Sequence, residues 1–179
     1  MRNARFAIVF GIVFGLVAAT FATMAARADD QEADWVAILA GKNERPTPHT
    51  ESRARGVALF FENADGTLSF KLIVANINNV VFAHIHCGSA DVAGPVGVTL
   101  VHAMPPGGGR FDGILETGTI TGADAGNGCG WTDVASVLAA ISTGNTYVNV
   151  HTNDGVDPAN TGPGDFPGGE IRGQIKAAG

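Results

Sequence analysis

Basic residues are scarce in this chain of 179: 11 lysines and arginines face 17 acidic side chains, and only 16% of positions are charged. That shortage argues against nucleic acid as a partner, because its binders carry a basic footprint that neutralises phosphates. The acidic residues are scattered rather than blocked, the pattern of a solvated surface. Several catalytic signatures are also missing. No Gly-x-Ser-x-Gly elbow occurs, and no pair of carboxylates is spaced for glycoside or peptide hydrolysis. The glycine-rich stretches Pro105 to Gly109 and Gly155 to Gly169 lack phosphate-loop spacing and precede no helix, so they read as turns. There is no internal repeat and no coiled-coil pattern. Nothing in this inventory supports an acid–base or nucleotide-dependent enzyme, and no catalytic residue is assigned.

What is present begins with an address. Arg2 and Arg5 give a basic start, Phe6 to Phe21 form an uncharged apolar run, and Ala26-Arg27-Ala28 has the small-x-small form of a cleavage site. Residues 1–28 are therefore expected to be a signal peptide, with an uncleaved anchor as the alternative. Losing Arg2, Arg5 and Arg27 leaves eight basic residues against 17 acidic ones, a net charge of −9 for a mature chain starting at Asp29. The expected location is secreted or periplasmic, with no membrane segment after cleavage. About 150 residues then remain, enough for one domain, 29–179, and short for two.

Short apolar runs separated by Gly, Pro, Asn and Asp recur along this domain, which points to an antiparallel sandwich or barrel rather than β-α alternation. Eight strands are predicted: Trp35 to Ala40, Gly56 to Glu62, Thr67 to Ala75, Val80 to His86, Val96 to His102, Phe111 to Ile120, Tyr147 to Thr152 and Glu170 to Lys176. Asn63-Ala64-Asp65-Gly66 reads as a tight hairpin turn. Alternation around it sets Val57, Leu59 and Phe61 on one apolar face, and Leu68, Phe70, Leu72 and Val74 on one face of the next strand. One segment has helical spacing: Val134, Val137, Leu138 and Ile141, with Thr132 or Asp133 as cap and Gly144 as stop, predict a short helix over Asp133 to Ser142.

Strand periodicity sends His84 and His86 to one face of their strand while Ala83 and Ile85 face the core. In Tyr147-Val148-Asn149-Val150-His151-Thr152, Val148 and Val150 point inward, and Asn149 and His151 outward. If these strands are neighbours, three imidazoles meet. Three imidazoles with an open fourth position suit zinc or copper, and His102 or Glu170 could complete the shell. Glu170 and Arg172 can share the histidine face as a structural ion pair, Arg172 and Asn149 being supporting residues rather than ligands. His49, in a proline-rich stretch, reads as an exposed loop residue. Cys87 and Cys129 are expected to pair as a disulfide closing a loop of about forty residues in an oxidising compartment. Because Cys87 follows His86 directly, a thiolate ligand is the alternative. Asn153 to Asn160 is rich in oxygen ligands but lacks the spacing of a calcium loop.

Four segments together resemble the CHRD domain, named for its occurrence in chordin. They are Leu39-Ala40-Gly41-Lys42-Asn43-Glu44-Arg45-Pro46; Ala83-His84-Ile85-His86-Cys87-Gly88 with Gly94-Pro95-Val96; Tyr147 to Thr152; and Gly169-Glu170-Ile171-Arg172-Gly173-Gln174. The resemblance spans nearly the whole mature chain and implies a secreted module of the bacterial type. Chordin's growth-factor binding is not carried over, because its cysteine-rich modules are absent here. A weaker similarity is to copper–zinc superoxide dismutases, which also place a His-x-His on one strand and a further histidine on a late one. Their histidine-dense zinc loop has no counterpart between Cys87 and His102.

The expectation is therefore an exported, Greek-key-like β-sandwich of seven or eight strands with one short helix, binding copper or zinc through His84, His86 and His151. A second reading is a metal-free scaffold whose histidines form a hydrogen-bond network and whose partner is a secreted or cell-envelope protein, met through Pro105 to Gly109 and Asn153 to Pro167. A dismutase-like redox enzyme is a third. A homodimer through an open strand edge is compatible with the sequence.

Overall fold

A computed structural model describes residues 31–46 and 50–179; the expected signal peptide and His49 lie outside the described residues. The compact unit Ala33–Gly179 holds eight strands, one α-helix and a single 3-10 turn at Gly41–Asn43. The strands are β1 (Trp35–Ala40), β2 (Arg55–Glu62), β3 (Leu68–Asn78), β4 (Val80–Cys87), β5 (Val96–Val101), β6 (Arg110–Ile120), β7 (Thr146–Thr152) and β8 (Ile171–Ala177), with helix α1 (Val134–Ser142) between β6 and β7. All pairings are antiparallel, in the order β5-β4-β7-β8-β1-β2-β3-β6. The sheet folds over on itself, so that it is sandwich-like around one core. No described helix is long and apolar enough to cross a membrane.

Local chemistry explains the elements. The hairpin β2–β3 turns at Gly66, whose φ of +80° only glycine adopts without strain. Helix α1 starts at Asp133, whose carboxylate accepts from the Ser136 N–H while the Ser136 hydroxyl accepts from the Asp133 N–H, a reciprocal cap. Val137 and Ile141, four apart, are the helix residues that enter the core.

The core is lined by Ala37 and Leu39 of β1, Phe70, Leu72 and Val74 of β3, Ala83 and Ile85 of β4, Val148 and Val150 of β7, and Ile171 and Ile175 of β8. One expectation is corrected. On β2 the buried face is Gly56, Ala58 and Phe60, whereas Val57, Leu59 and Phe61 are only half-buried on the other side. Both faces of β2 are apolar, so alternation alone could not choose between them; the register Phe60↔Phe70 and Ala58↔Leu72 does.

The placement of β7 matters most for function. It runs between β4 and β8, and all seven of its residues are buried. A strand at a sheet surface normally keeps one face in water; here segments near Gly94 and Pro167 close over the outer face and accept its polar side chains.

Candidate metal centre

The register of β4 on β7 sets Phe82 opposite His151, His84 opposite Asn149 and His86 opposite Tyr147. Residues two apart share a face, so this pairing gathers three imidazoles on the outer side of the sheet. The ring centroids of His84 and His151 are 4.9 Å apart, those of His84 and His86 5.6 Å, and those of His86 and His151 5.7 Å. One nitrogen from each ring lies within 4.8 Å of the other two.

Hydrogen bonding fixes which nitrogens those can be. Nδ1 of His86 lies 2.9 Å from the Gly94 carbonyl, and Nδ1 of His151 lies 2.9 Å from the Pro167 carbonyl. A carbonyl oxygen only accepts, so both Nδ1 atoms carry the proton and donate, leaving a lone pair on each Nε2. Both Nε2 atoms, and Nδ1 of His84, are buried without a hydrogen-bond partner. Buried polar atoms are seldom left unpaired, and three of them in one cluster need an explanation.

Burial also governs their charge. Burial first, and neighbouring imidazoles second, lower the pKa of His84 and of His86 from 6.5 to about 4, with the Gly94 hydrogen bond opposing the fall at His86. His151 is lowered by burial too, against the opposing hydrogen bond to Pro167. All three rings are thus neutral near pH 7, the form that can donate a lone pair to a cation.

Next to the histidines lies a second polar group. Tyr147 stacks on His86, and its hydroxyl engages both backbone groups of Gly94, accepting from the N–H at 3.0 Å and donating to the carbonyl at 3.2 Å. Gly94 admits no side chain: a Cβ there would overlap the Cys87 carbonyl. Arg172 of β8 lies over the Tyr147 ring and donates to the Ser89 carbonyl at 2.8 Å. Asn149 donates to the buried Glu44 carboxyl at 3.3 Å. Desolvation raises the Glu44 pKa from 4.5 to about 8, although Arg172 and Asn149 pull the other way.

The other predicted candidates stand apart. His102 is exposed just beyond β5; it acts on His84 electrostatically but is not in the cluster. Glu170 is buried, but not among the histidines and not paired with Arg172. Its carboxylate accepts from the hydroxyls of Ser52 and Thr152 and from the Gly164 N–H. β8 begins only at Ile171, so Glu170 stands just outside the strand, with its carboxylate on the Thr152 hydroxyl. Cys87 is disulfide-bonded to Cys129, which removes the thiolate alternative and fits an oxidising compartment.

Glu44, Tyr147 and Gly94 were not marked as site residues by sequence reasoning. Glu44 and Gly94 do lie in the segments that carry the CHRD resemblance, and that was the one signal available for them. Comparison with curated proteins finds no match, and comparison with solved structures finds none either. The CHRD domain family matches residues 35–175, nearly the whole of the compact unit. By that match, which takes in the histidine strands and the strand bearing Arg172, the chain belongs to the CHRD domain family.

Proposed function

We propose that this protein is a secreted or periplasmic binding module that holds one transition-metal ion, copper or zinc, through His84, His86 and His151. The observation that carries this reading is the convergence of three neutral imidazoles whose lone-pair nitrogens are buried and unpartnered. Carbonyl-fixed tautomers at His86 and His151 are the outer-shell arrangement that orients metal-ligating imidazoles. Zinc–nitrogen bonds of about 2.0–2.1 Å put tetrahedral ligands about 3.4 Å apart, so ion binding draws the three rings together by small side-chain rotations. Three nitrogen donors leave a fourth position for water or an exogenous ligand, and imidazole suits either metal.

The metal-free reading predicts a different pattern. Metal-free histidines would spend their ring nitrogens on neighbouring loops, and His86 and His151 do each donate one to a loop carbonyl. The nitrogens left over, Nε2 of both and Nδ1 of His84, have no such partner, and they are what favours an ion. The module is read as a binder rather than a catalyst.

Metal content by mass spectrometry, on untagged protein from its own compartment beside the H84A/H86A variant, tests the reading. Near-stoichiometric copper or zinc, lost in the variant, is expected. If neither protein holds metal after challenge with both ions, the reading fails.

A further inference from the structure

The outer face of β8 and β1 carries a second feature, separate from the histidines. An open groove of about 480 Å³ runs there, floored by Val36 and Ile38 and ringed by Lys42, Arg45, Arg172 and Lys176. No acidic side chain lines it, although Arg45 is paired with the exposed Asp91 at 3.1 Å on its rim, which leaves Lys42, Lys176 and Arg172 as the main sources of its charge. The chain has only eight basic residues after Asp29 and an acidic net charge, yet four of the eight gather at this one concavity. Chance scatter on an acidic surface does not produce such a patch, and a groove of one sign with low-dielectric walls concentrates ions of the opposite sign.

The floor is as distinctive as the rim. Ile38 is 60% exposed, unusual for a central-strand residue of a packed sheet, and with Val36 it offers an apolar strip beside the cations. At one end stands Arg172, preorganised rather than floppy: its guanidinium plane rests on Tyr147 and one nitrogen is anchored to the Ser89 carbonyl. Arg172 is only 2% exposed, so its charge acts on the groove from beneath, while the exposed Lys42, two residues beyond Arg172's strand partner Ala40, supplies the donor that a carboxylate can reach. The volume falls in the range of small-molecule sites.

We propose that this groove binds a small organic carboxylate, with the carboxylate at Lys42 above the buried charge of Arg172 and a short apolar body along Val36 and Ile38 toward Lys176. None of the three histidines lines the groove, so this assignment stands or falls apart from the metal reading.

Hexanoate is the probe, titrated into the 15N-labelled protein and followed by amide chemical shifts, with hexylamine and hexanol as controls. Saturable shifts confined to Ile38, Lys42, Gln174 and Lys176 are expected with hexanoate, with none from hexylamine and weaker ones from hexanol. The K42E/K176E variant changes two exposed side chains without touching the Arg172 network, and should weaken hexanoate at least tenfold while keeping the wild-type spectrum elsewhere. The assignment is overturned if hexanoate produces no local shifts, if hexylamine shifts the same amides equally, or if the charge-reversed variant binds hexanoate unchanged.

Discussion

The ring of Tyr147 lies parallel to that of His86, with centroids 4.9 Å apart and planes 8° from each other. Arg172, from the strand on the other side of β7, covers it with its guanidinium carbon 3.4 Å from the ring centroid. The single tyrosine of the chain is thus layered between an imidazole and a cation, and its hydroxyl shares the Gly94 carbonyl with His86. Y147F keeps the stacking and deletes only the hydroxyl, leaving the Gly94 N–H without its acceptor. The expected loss is about 1–2 kcal/mol, against about 3–5 kcal/mol for Y147A, read from urea unfolding midpoints. Equal losses would mean that the stack contributes nothing.

Glu170 offers a separation between folding and metal binding. Its carboxylate is held by Ser52, Thr152 and Gly164, away from the histidines. E170Q should cost about 2 kcal/mol yet leave the metal content of the folded protein unchanged. A folded E170Q protein that takes up no metal would place this residue in the shell after all.

Stability should pass through a maximum in pH. His84 and His86 titrate near 4 in the folded chain and near 6.5 when unfolded. As pH falls from 6.5 toward 4 the unfolded state takes up protons that the native state refuses, so stability drops over that window. Glu44 works the other way, holding its proton in the fold up to about pH 8 but only to about 4.5 when unfolded, so stability declines as pH rises between those values. Two histidines outweigh one carboxyl below 6.5, which puts the optimum of the metal-free protein near pH 6.5. E44Q should flatten the alkaline limb and steepen the acid limb between about 4.5 and 6.5, where Glu44 opposes the histidines, as measured by thermal melts across pH.

The disulfide Cys87–Cys129 joins positions 42 apart. Closing a loop of that size should stabilise by about 2–4 kcal/mol through the unfolded state. The C87S/C129S variant should show that loss in urea and become insensitive to added reductant, whereas the parent should approach the variant's midpoint when reduced.

Most strands were legible because their signals are local: alternation located β4 and β7, and hydrophobic spacing with an aspartate cap located α1. The same alternation placed His84 and His86 on one side of their strand. Whether His151 joined them depended on β4 and β7 being neighbours, a pairing across about sixty residues that no local pattern encodes. The partners that finish the site were less visible still. Asn149 meets Glu44 across 105 residues, and the groups that receive the imidazole protons are backbone carbonyls, which leave no mark in a sequence. Glu170 departs from the expected face because β8 begins only at Ile171, so strand periodicity does not reach it. On β2, two apolar faces left the choice of core side to its neighbour.

The enclosure of β7 is uneven over the histidines. The segments bearing Gly94 and Pro167 cover His86 and His151, whereas His84 is only half-buried beside the exposed Phe82 on β4. The open side of the cluster is therefore the β4 side, and on the proposed reading that is where an ion, and any ligand in its fourth position, would meet solvent.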